Sequence, residues 1–146
     1  MVDEGAAELE AIEGPDRLSI EVMRVRVDLY LETKQWDLLL AVSRELMRQA
    51  PEHDKGFIFS AYALRELGRV SEAREILLEA ESRHGQCALL HYNLACYHCL
   101  LGDGAEAKLE LTITCRMHAD WKTSALEDED LKTIWGEIAA LRAAES

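Results

Sequence analysis

A chain of 146 residues, 49% apolar and 30% charged, has the composition of one folded domain and argues against disorder. Its formal net charge of -12 divides into -6 over residues 1–16, -4 from Asp120 onward and only -2 between them. That balance disfavours nucleic acid and anionic membrane as partners, since both need Lys and Arg to neutralise phosphate.

Residues 1–15 open the chain as an acidic segment. Within it, Ala6–Ile12 (AAELEAI) can form a short helix packing Leu9 and Ile12 on the first helical pair, or the segment is a frayed tail ended by Gly14 and Pro15. Residues 16–146 then read as a single domain. Apolar periodicity predicts helices at 19–33, 36–49, 54–67, 71–83, 87–101 and 104–117. The stretch Leu111–Cys115 (LTITC) is β-branched and would be a strand in isolation, but it keeps the register of the earlier helices and is read as helix. Residues 122–146 read as a cap. A short helical turn leads to Asp128 as N-cap, and Leu131, Ile134, Trp135, Ile138 and Leu141 then share one helix face.

A spacing of 34 residues recurs in several columns. Val27, Ala61 and Ala95 form one; Leu39, Ala73 and Ala107 another; Leu46, Ala80 and Thr114 a third. Lys34, Gly68 and Gly102 mark a turn, and Pro51, Gly85 and Ala119 mark where the second helix of each unit stops. The units run 20–53, 54–87 and 88–121 without a gap. Small side chains in the first two columns let antiparallel helices approach closely. Glycine in the turn column suits a backbone at positive φ. Ser71 and Asp103 are the expected N-caps of the second helices of their units.

This pattern resembles the tetratricopeptide repeat family, whose period is 34 residues. The likeness is carried by Ala61–Ala80 (AYALRELGRVSEAREILLEA) and Leu94–Ala107 (LACYHCLLGDGAEA), and covers about two-thirds of the chain. The first unit departs from it, with Lys34 at the turn and the larger Val27 and Leu39 at the crossing. The resemblance implies an all-α, right-handed superhelix of antiparallel helix pairs that binds a protein or peptide. It implies no catalysis and no cofactor. The ending, an acidic turn and then Leu and Trp, is similar to that of some bacterial members.

In that family the first helix of each unit lines a concave groove. Matching positions here are Arg24, Ile58 and Tyr92 in one row, Asp28, Tyr62 and Cys96 in a second, and Leu31, Arg65 and Cys99 in a third, with Glu21, Lys55 and Leu89 at the mouth. The lining grades from charged to apolar, which suits a peptide or helix with a charged end and an apolar anchor near Tyr62 and Tyr92. Alternatively, the N-terminal segment or a second copy covers the apolar part. A subtype of the family clamps C-terminal carboxylates with lysines, an arginine and asparagines. Arg24, Asp28, Phe59, Leu89 and Asn93 stand at those positions, and Asp28 would repel a carboxylate, so that clamp is not expected.

Cys87, His91, Cys96, His98 and Cys99 invite a metal or redox reading, with Cys96 and Cys99 at CxxC spacing. Helix geometry puts Cys87, His91 and His98 on one face and the CxxC pair on another, so the five do not converge. No phosphate-binding glycine loop, calcium loop or serine-nucleophile motif is present. The cysteines, the acidic start and the lack of an apolar run of ~20 residues lead to the expectation of a reduced, cytoplasmic protein. The rival readings are a small secretion-type chaperone, a self-associating module and a metal or thiol protein built on the third unit.

Overall fold

The computed structural model describes residues 17–141, and all regular structure among them is helical. The elements are α1 (Arg17–Glu32), α2 (Trp36–Gln49), α3 (Lys55–Glu66), α4 (Val70–Ala80), α5 (Ala88–Leu100), α6 (Gly104–Met117) and α7 (Trp121–Ala125), then a 3-10 helix (Glu129–Ile134) and α8 (Trp135–Ala139). They fall into two compact units divided between Leu67 and Gly68. In the first, α2 packs on both α1 and α3; in the second, α5 packs on α4, on α6 and on the 3-10 helix. The expected helix at Ala6–Ile12 lies outside the described residues.

The repeat columns are the core. Val27, Ala61, Ala95, Leu39, Ala73, Ala107 and Thr114 are fully buried, and Leu46 and Ala80 nearly so. The turn column is equally regular: φ is +56° at Lys34, +82° at Gly68 and +87° at Gly102. Glycine reaches this left-handed conformation without cost, whereas a side chain there meets its own backbone. Lys34 therefore keeps the turn geometry of its column despite departing from it in residue type. A contact invisible in the sequence sits at Gly56, where an added Cβ would lie 2.5 Å from the Met47 amide nitrogen. The backbones of α2 and α3 touch there.

LTITC lies within α6, so packing outweighs its strand propensity. Two expected caps differ. Helix α4 begins at Val70, which places Ser71 inside the first turn rather than before it. Asp103 does stand at the N-cap of α6, but its carboxylate is drawn off to the Arg74 guanidinium and makes no cap hydrogen bond. Asp128 caps as expected, accepting from the Asp130 amide at 3.0 Å. The helix that it caps is a 3-10 stretch leading into a short α-helix, not one continuous α-helix. Leu131, Ile134 and Ile138 are buried along it. The Trp135 indole N–H donates to the Ala125 carbonyl at 2.9 Å, and Lys122 Nζ donates to the Leu141 carbonyl at 2.6 Å, tying the segment down.

Candidate functional site

In the first unit, an ion pair joins two of the residues read as groove lining, one on α1 and one on α3. Lys55 Nζ lies 2.9 Å from Asp28 Oδ1, so the two charges from the middle of α1 and the first turn of α3 pair with one another. Asp28 is exposed and the Lys55 stem largely covered, an arrangement worth little to stability but enough to fix where both charges point. Tyr62 is half-buried between two rings. Its centroid lies 5.8 Å from Trp36 and 6.4 Å from Phe59, both edge-on at interplanar angles of 68° and 71°. Edge-to-face contact pre-sets the tyrosine without removing it from the surface. Arg24 and Arg65 are half-buried, Arg65 beside Glu66 at 3.7 Å. Ile58 is only 2% exposed and stands with Ala61 and Leu64 on the core side of α3, out of a partner's reach.

In the second unit the apolar face of α5 is occupied from within the chain. The Tyr92 hydroxyl donates to Asp128 Oδ2 at 2.6 Å, and its ring lies 4.7 Å from that of Trp121. Cys96 Sγ points at the same carboxylate oxygen, 3.8 Å away, and Cys99 Sγ lies 3.1 Å from Thr133 Oγ1. All three α5 side chains are buried. Burial, then the bond to Asp128, pushes the Tyr92 phenol well above its ordinary range, so it stays a neutral donor. Among the described residues, the segment from Trp121 to Thr133 covers these side chains. Leu89, at the start of α5, remains exposed. A hydrogen bond between positions 36 apart leaves no signal in the local pattern, and Asp128 already had a sufficient role as a cap.

The Cys and His side chains do not gather. Cys96 and Cys99 face the C-terminal segment, and none of the four cysteines is in a disulfide. Burial raises the Cys115 thiol above its usual range, which makes it unreactive at neutral pH. His98 is buried 3.5 Å from Arg74 Nη1, and burial together with that cation holds it below its usual range as a neutral acceptor. His91 goes elsewhere. Its Nδ1 lies 2.7 Å from Glu110 Oε1 and 3.4 Å from Glu81 Oε2, while Nε2 lies 2.8 Å from the Gly85 carbonyl. Burial lowers the His91 pKa by itself, but the bonds to Glu110 and Gly85 and the two carboxylate charges together raise it. Burial and the neighbouring Glu81 carboxyl push Glu110 up to about 7. Glu81 and Glu110 carried no expectation from the sequence, because each is one acidic residue among many on a helical surface.

Three turns with left-handed backbone recur at 34-residue intervals, and buried alanines flank the second and third of them. A solved structure of the TPR2B domain of yeast Sti1, from its complex with pHsp70, matches this chain with a TM-score of 0.69 over 86% of this chain and 99% of that one. The fold is that of a tetratricopeptide-repeat domain. Sequence identity is 18%, so the likeness concerns the tetratricopeptide fold alone. No family model and no curated protein matches the sequence. No helix among the described residues is long and apolar enough to cross a membrane.

Proposed function

We propose that this tetratricopeptide-fold chain is a protein-interaction module, taking a peptide or helix of a partner on the surface that carries Arg24, Asp28, Lys55, Tyr62 and Arg65. The observation that supports this is Tyr62, a half-buried aromatic held edge-on by Trp36 and Phe59, with the Lys55–Asp28 pair two turns earlier along α3. A ring fixed before binding loses little entropy on binding, and charges around an aromatic anchor orient what docks there. Burial of Tyr92, Cys96 and Cys99 confines the reading to the first unit. The solved neighbour's own assembly with pHsp70 is consistent with a peptide-binding role, although Asp28 argues against a carboxylate-terminated ligand here.

The test is selection of ligands from a displayed random-peptide library on the full chain, and then affinity measurement on Tyr62→Ala. Loss of a hot-spot aromatic costs roughly 2 kcal/mol or more, about a thirtyfold weakening. The Tyr62→Ala chain should keep its helical circular dichroism while losing that affinity. Unchanged affinity in the substituted chain removes this surface as the binding site.

A further inference from the structure

We propose that Glu81, His91 and Glu110 form a binding site for a divalent transition-metal ion of the zinc class. The three come from different elements of the second unit: Glu81 comes directly after α4, His91 is in α5 and Glu110 is in α6. One ligand atom from each lies within 4.8 Å of the others.

The chemistry starts at Gly85. Its carbonyl can only accept, so the His91 nitrogen facing it at 2.8 Å, Nε2, carries a hydrogen. In the neutral ring Nδ1 is then a lone pair, and that lone pair faces the two carboxylates. Three acceptors converge with no donor among them. Such a convergence is held together either by protons or by a cation. An imidazole nitrogen and two carboxylate oxygens are a donor set that suits zinc and related divalent ions, and the two negative charges balance the ion. The Nε2–H to carbonyl bond is the outer support that metal-bound histidines characteristically have.

Geometry and access agree. Donor atoms on a tetrahedral ion with bonds of about 2.1 Å are about 3.4 Å apart, the spacing already present between His91 Nδ1 and Glu81 Oε2. The shorter separation to Glu110, 2.7 Å, is that of a hydrogen bond. It widens by rotation of the glutamate as the bridging proton leaves to solvent. The His91 and Glu110 side chains are 5% and 11% exposed, whereas Glu81 is 30% exposed and forms the open side through which an ion and a fourth, water ligand enter. Cys96 and Cys99 point instead at Asp128 and Thr133, so neither of these thiols belongs to the donor set.

The experiment is titration of the chelator-stripped full chain with Zn2+ and with Co2+, on wild type, Glu81→Gln and Glu110→Gln. Glu81→Gln lies on the open side and keeps the His91–Glu110 contact, so it separates ligand loss from misfolding. A single ion per chain is expected, with a cobalt spectrum lacking thiolate charge-transfer bands. Zinc should raise the wild-type melting temperature, and Glu81→Gln should weaken binding by about tenfold or more at unchanged helix content. Absence of binding at high micromolar zinc would mean that the cluster is a protonated His91–Glu110 pair only. Thiolate bands, or affinity untouched by Glu81→Gln, would place the ion elsewhere. Any of these three results overturns the assignment.

Discussion

Lys34 shows how a column of the repeat imposes a conformation on a residue ill suited to it. At φ +56° a lysine is strained by roughly 1–2 kcal/mol relative to glycine, although glycine gives part of that back through its freer unfolded chain. Lys34→Gly should therefore stabilise the protein by about 0.5–1 kcal/mol, read as a higher urea midpoint at unchanged slope. An unchanged or lower midpoint would show that the strain is relieved in some other way. Gly56 is the opposite case, where space rather than φ is decisive. A Cβ there would sit 2.7 Å from the Met47 Cα, so Gly56→Ala forces α2 and α3 apart. Overpacking of this kind costs about 1–3 kcal/mol, more than the roughly 1 kcal/mol gained in helix propensity. Thermal melts should show a lower midpoint for Gly56→Ala, and a rise would mean that the helices separate freely.

Among elements, the C-terminal segment has a role that its sequence only half announces. Its apolar spacing of Leu131, Ile134 and Ile138 was legible, because burial of one helix face is a local periodic signal. Its 3-10 start and its seat over α5 were not. Asp128 accepts simultaneously from the Asp130 amide, the Tyr92 hydroxyl and the Cys96 thiol, so the cap is also the clasp. Asp128→Ala should cost about 2–3 kcal/mol, summing a lost cap and a buried phenol left without its acceptor. It should also open the segment locally, so that Cys96 and Cys99 react faster with a thiol reagent while Cys115 in α6 does not. Equal labelling rates at Cys96 in both proteins would show that Asp128 does not hold the cover.

For the molecule as a whole, the repeat register was the part open to reading. A 34-residue recurrence of small residues, turn residues and helix stops is written along the chain, and each column has a local steric meaning. The sequence alone therefore determined the helix pairs, their turns, their buried columns and the resemblance to the tetratricopeptide repeat. Only the tertiary structure decided what the α5 face meets, that Ile58 is core while Tyr62 stays at the surface, and that His91 is joined by Glu81 and Glu110. Those are pairings between residues far apart along the chain. Periodicity says which face of a helix is buried, but the partner brought to that face depends on how successive elements pack in space.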